Sequence, residues 1–192
     1  MMKLNGLIGC LAVAATLASI PSVSAKEPVA VGDKAPDFEL PIQGEDAYAT
    51  LSKLTEDGPV VVVVLRGYPG YQCAACQRQV SSLLNRRKAL AAATGDKPHR
   101  VVLVYPGPET ELDKYADQFI GAKRVPDTFL FVRDPDMKMV SEWGLRWKAP
   151  RETAYPSTYV IGPGQRVKWN KVSESHGGRA TVEEILKGLK SS

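Results

Sequence analysis

Val60-Val-Val-Val-Val-Leu-Arg-Gly-Tyr-Pro-Gly-Tyr-Gln-Cys-Ala-Ala-Cys-Gln-Arg-Gln79 is the stretch around which the chain is organised. Its opening run of β-branched residues, ending at Leu65, reads as a strand buried on both faces, as in a parallel sheet. A Gly/Pro loop follows, and then Cys73 and Cys76 at the start of an amphipathic helix. At a helix N-terminus the unpaired backbone N–H groups and the positive end of the dipole favour thiolate over thiol. The three-residue spacing puts both sulfurs on one face of the first turn, close enough for a short, reversible disulfide Cys73–Cys76. Thiol chemistry is therefore the first expectation.

The chain has 192 residues, enough for one domain with a sizeable core. Residues 1–25 read as a secretory signal: Lys3, an apolar run from Leu11 to Ile20, Pro21, and small residues at Val23-Ser-Ala25. That run is too short and too rich in Ala and Ser for a membrane span. Leu7-Ile-Gly-Cys10 also resembles a lipobox, which would make Cys10 a lipid anchor, but the apolar segment lies mostly after the cysteine. A soluble exported protein, periplasmic or extracellular, is the better expectation, with residues 26–192 as the domain. Removal of the signal lowers the formal charge from +4 to +3, by the loss of Lys3, and leaves two cysteines. Their bridge would close almost no loop, so reactivity explains the pair better than stapling. The basic residues are dispersed, with Arg86-Arg-Lys88 the one run, and no nucleic-acid partner is expected.

Along the chain, Phe38 and Leu40 alternate with charged residues as in a short edge strand. After the cysteines, Val80, Leu83, Leu84, Leu90 and Ala91 recur at helical spacing, predicting one helix to about Ala93. Val101–Tyr105 is a second buried strand and completes a βαβ unit. A helix around 112–120, a strand at 128–132 and a short helical segment near 140–144 follow. Ser157–Ile161, Gly162-Pro-Gly-Gln165 and Arg166–Trp169 read as an antiparallel hairpin. The final helix opens on a capping box, Thr181-Val-Glu-Glu184.

With these elements in order, the chain resembles the AhpC/TSA (redoxin, peroxiredoxin-like) family of thioredoxin-fold proteins. Gly32-x-x-Ala35-Pro36-x-Phe38-x-Leu40 resembles that family's N-terminal signature, and the strand, loop and Cys73-x-x-Cys76 helix follow in order. Residues 129–144 occupy the place of the redoxin insertion, and Tyr155-Pro156-Ser-Thr-Tyr-Val-Ile161 resembles the loop where the fold places a cis-proline. The resemblance implies an α/β thioredoxin-like fold: a central mixed β-sheet flanked by helices, an N-terminal extension, and a strand and helix inserted before the late hairpin. It also implies that Tyr155 and Pro156 form a substrate-binding wall beside the cysteines. Pro69-Gly-Tyr-Gln-Cys73-Ala-Ala-Cys76 keeps the proline of the peroxiredoxin motif and aligns Cys76 with the peroxidatic position. Cys73 then replaces that motif's hydroxyl residue, and Pro156-Ser-Thr158 stands where an arginine is usual. Both departures lean towards disulfide exchange.

Two mechanisms follow. In exchange, Cys73 attacks a partner disulfide and Cys76 resolves the mixed disulfide; in a peroxidase, Cys76 attacks a peroxide and Cys73 condenses with the sulfenic acid. The expected partner is accordingly a thiol/disulfide protein or a peroxide. Arg66 is the leading candidate for tuning the thiolate, with Arg146 and Arg151 behind it. Tyr68 and Tyr71 flank the cysteines, and Trp143, Trp147 and Trp169 read as packing residues. A third reading, a copper carrier, would need His176 beside both sulfurs. No resident metal or cofactor is expected: the copper carriers usually have a C-x-x-x-C spacing that this chain lacks, and the glycines of 67–70 lack the phosphate-loop pattern of a nucleotide site.

Overall fold

In chain order, a computed structural model places β1 at Glu39–Pro41, β2 at Tyr48–Thr50, α1 at Leu51–Asp57 and β3 at Val60–Val64. Then come α2 (Ala74–Asn85), α3 (Arg87–Ala93), β4 (Arg100–Gly107), α4 (Leu112–Ile120), β5 (Phe129–Pro135) and α5 (Lys138–Glu142). The chain ends with β6 (Ser157–Gly162), β7 (Arg166–Val172) and α6 (Val182–Lys190). The structure describes residues 26–95 and 97–190; the expected export signal and Cys10 lie outside them. No helix among the described residues is long and apolar enough to cross a membrane.

The expected mixed sheet forms, with strand order β5-β4-β3-β6-β7. β3 runs parallel to β4 and antiparallel to β6, which puts the valine run at the centre. Its period-two alternation divides the core. Val61, Val63 and Leu65 pack with α2, α4 and α6, whereas Val60, Val62 and Val64 pack with the N-terminal segment, α1 and Trp143. Two covered faces explain why all five valines are fully buried. β1 and β2 form the N-terminal hairpin, and Ile42 bridges to Val132 of β5. β5 and α5 occupy the position of the expected insertion.

The helix after the cysteines does not run unbroken to Ala93; it divides at Arg86. There the Arg86 N–H is shared between the Ser82 and Leu83 carbonyls, a tightened last turn. No Gly or Pro marks the break in the sequence. Beside the break the exposed Arg86 guanidinium pairs with Glu183 of α6 at 2.7 Å.

Candidate redox site

The end of β3 feeds a loop that must turn sharply. Gly67 adopts φ +73, and a Cβ there would lie 1.8 Å from the Pro106 carbonyl oxygen. Only glycine permits this approach, which the Tyr68 N–H exploits by donating to that same oxygen at 2.9 Å. Gln72 then fixes the residue before the first cysteine: Tyr105 Oη donates to its Oε1 at 2.9 Å, and its Nε2 donates to the Tyr115 carbonyl at 2.9 Å. Gln77, one turn on, donates to the Phe119 carbonyl at 2.8 Å, so α2 starts clamped against α4. Tyr68 contributes to the same clamp by stacking on Tyr115, centroids 3.6 Å apart.

Cys73 is the N-cap of α2, with extended backbone (φ −90, ψ 105), and its Sγ accepts the Cys76 N–H at 3.2 Å. A sulfur thus occupies the place usually taken by a capping oxygen. Both cysteines are free thiols. Cys76 has no exposed surface, while Cys73 retains 5%. Their acidities are driven apart. The Cys73 thiol is lowered to about 5, chiefly by the hydrogen bond from the Cys76 thiol; the Cys76 N–H and the charges of Arg179 and Arg66 add to it against burial. Burial, and then that same hydrogen bond, pushes the Cys76 thiol up.

Arg179 is the residue the sequence reading missed. Its Nη2 lies 3.3 Å from Cys76 Sγ and 3.6 Å from Cys73 Sγ, while Nη1 donates to Gln79 Oε1 at 2.9 Å. The one sequence signal for it is its place between Gly178 and the capping box. Of the arginines singled out, Arg66 lies behind the site. It is buried, pairs through Nε with Glu152, and donates through Nη2 to Glu152 Oε1 and the Arg151 carbonyl, each at 2.8 Å. Its charge acts on Cys73 more weakly than that of Arg179. Arg151 lies over the ring of Tyr71, 5.3 Å from its centroid, and Arg66 lies 4.7 Å from the same centroid. The Arg146 guanidinium is spent on the carbonyls of Trp147, Glu152 and Thr153.

The Tyr155–Pro156 peptide is trans, which corrects the expected cis-proline. Trans is the ordinary state of an X–Pro bond, and here it continues a regular ladder. Ser157 pairs with Val172, and the Ser173 N–H donates to the Pro156 carbonyl at 2.9 Å. The Tyr155 N–H donates to Leu145, its carbonyl accepts from Ser157 Oγ, and its ring stacks on Trp147. The backbone offered to a substrate in the sequence reading is therefore committed internally. Pro156 precedes Ser157, which pairs with Val64 at the end of β3, so the segment still borders the strand that leads to the cysteines.

His176 does not face the sulfurs. Its Nε2 meets Glu152 Oε1 at 2.9 Å and its ring lies 5.2 Å from Trp147. Among the described residues no group of three His, Cys, Asp or Glu side chains could hold a metal ion, so the copper-carrier reading loses its third ligand. Trp143 and Trp169 pack as expected, Trp143 fully buried and edge-on to Tyr159.

The AhpC/TSA family model matches residues 31–170. Comparison with curated proteins gives no match. Among solved structures, peroxidoxin BcpB from Mycobacterium tuberculosis is similar at 23% identity and a TM-score of 0.62, over 83% of this chain and 96% of its own. Reduced Prx3 from Vibrio vulnificus is 16% identical with a TM-score of 0.68, over 84% of this chain and 99% of its own. A protein assigned as the thiol:disulfide interchange protein DsbE from Chlorobium tepidum is 23% identical with a TM-score of 0.58, over 84% and 99%. At such identities the likeness shows the thioredoxin-like fold.

Proposed function

As a member of the AhpC/TSA family the chain is, in general terms, a thiol-dependent oxidoreductase, and we propose that its reaction is thiol–disulfide exchange begun by Cys73. One observation carries this reading: the sulfur that retains exposure is also the one whose acidity is raised, while Cys76 is enclosed and held as a thiol. The Cys73 thiolate attacks one sulfur of a partner disulfide, forms a mixed disulfide and expels the other sulfur as a thiolate. Cys76 then gives up its proton to the thiolate expelled in the first step and attacks the Cys73 sulfur, which releases the partner's second thiolate and leaves the Cys73–Cys76 disulfide. Two electrons pass to the partner; run backwards, the same steps oxidise a partner dithiol. Arg179 contacts both sulfurs and stabilises whichever carries the charge.

Peroxide reduction at Cys76 is the second reading. It is favoured by Arg179 lying nearer to Cys76 and by the Pro69 spacing. The raised Cys76 thiol opposes it, since the thiolate is the nucleophile. Stopped-flow reaction of the reduced protein with hydrogen peroxide and with a protein disulfide separates the two. Slow peroxide reaction with fast disulfide reduction supports exchange, whereas rapid sulfenic acid formation at Cys76, retained in Cys73→Ser, overturns it. We also propose export, with residues 1–25 removed and 26–192 as the redoxin domain; a mature N-terminus at Lys26, read by mass spectrometry of the exported protein, would support this.

A further inference from the structure

Arg179 reaches the sulfurs from a stretch with no regular structure, between the end of β7 at Val172 and the start of α6 at Val182. Gly177 and Gly178 precede it, and Gly178 adopts φ +69, so this backbone has little intrinsic preference for the observed path. Something must hold it. The far end of the loop is fixed by Ser173, whose Oγ donates to the Ser175 carbonyl at 2.9 Å and also meets the Gly177 carbonyl. In the middle, His176 Nε2 reaches Glu152 Oε1 at 2.9 Å, and Arg179 Nε donates to the His176 carbonyl at 3.2 Å. The chain of contacts thus runs Glu152, His176, Arg179, sulfur. Glu152 is a firm anchor: its side chain is only 10% exposed and its carboxylate is bound by Arg66, directly after the central strand.

We propose that Glu152 and His176 are a positioning pair that keeps the Arg179 guanidinium on the Cys73 and Cys76 sulfurs. The proposal rests on the reading of Cys73 as the thiolate. The pair acts on the sulfurs through the loop that carries Arg179. The Nε2–H of histidine donates to a carboxylate in both the charged form and the matching neutral tautomer, so the contact does not require His176 to be protonated. Direct electrostatics and positioning make opposite forecasts for Glu152. A carboxylate near Cys73 disfavours the thiolate through space, whereas this one favours it by placing a cation.

The test alters His176, whose side chain is 53% exposed and therefore tolerant of change, and leaves Glu152 in place because buried Arg66 depends on it. In the full chain, the pH midpoint of Cys73 alkylation by iodoacetamide is read by peptide fragmentation, which resolves it from Cys76. His176→Ala is expected to raise that midpoint by about 0.5–1, and His176→Gln, which keeps a donor, to restore most of it. In an Arg179→Gln background the same His176→Ala change is expected to add nothing. No shift on His176→Ala, or an equal shift without Arg179, would overturn the pair. A wild-type midpoint in the ordinary thiol range would instead sink the Cys73-thiolate reading beneath it.

Discussion

At the residue scale, the two cysteines differ less by chemistry than by which of them caps the helix. Cys73 Sγ receives the Cys76 backbone N–H, and the neighbouring Cys76 thiol is the chief cause of its lowered pKa, while Cys76 itself has no exposed surface. Alkylation of Cys73 should therefore increase as pH rises through about 5 and be level around neutrality, where an ordinary thiol at about 8.5 is still gaining rate. Arg179→Gln removes the nearest cation and should move this midpoint upward by about 1, slowing exchange most at acidic pH. The exchange order predicts an asymmetry between the sulfurs. Cys73→Ser should show no reaction with a disulfide, whereas Cys76→Ser should accumulate a mixed disulfide at Cys73, detectable as a mass adduct. An adduct on Cys76 in Cys73→Ser would reverse the assignment.

At the element scale, two local structures beside the site each have a weak point. The turn after β3 depends on Gly67, where an alanine would meet the Pro106 carbonyl oxygen at 1.8 Å in a left-handed conformation. Gly67→Ala should cost about 3 kcal/mol, from strain plus overpacking, and displace the clamp on Gln72. Chemical denaturation would measure the first effect and Cys73 reactivity the second. The α6 start is set by the capping box read in the sequence: Glu184 N–H donates to Thr181 Oγ1 at 3.2 Å, and Thr181 N–H to Glu184 Oε2 at 2.8 Å. The Glu184 carboxyl is held at about 2, first by Lys171 and then by Thr181. Thr181→Ala should cost about 1 kcal/mol in denaturation. Most of these elements were legible because their signals are local: β-branched runs, period-two and period-3.6 patterns, a capping box. The break at Arg86 was not, because no Gly, Pro or capping residue stands there and the apolar period continues across it.

At the scale of the whole molecule, the thiolate couples the site to folding. Cys73 has a lower pKa folded than unfolded, so its contribution is fully present above the unfolded value and is lost as pH falls through about 5. The stability advantage of the reduced wild type over Cys73→Ser should therefore grow between pH 5 and 8, as read from denaturant midpoints; a constant difference would show that Cys73 ionises alike in both states. The sequence by itself determined the sheet core, the strand–loop–helix order, and the placing of two thiols on a helix start. Those features depend on residues a few positions apart and on the burial preferences of single side chains. Tertiary structure decided what surrounds the thiols. It brought Arg179 to Cys73 across 106 positions and joined Arg66 to Glu152 across 86. It also committed the Tyr155–Pro156 backbone to its neighbours. A guanidinium on a sulfur is fixed by which loops the closed sheet brings together, and no local pattern encodes that meeting.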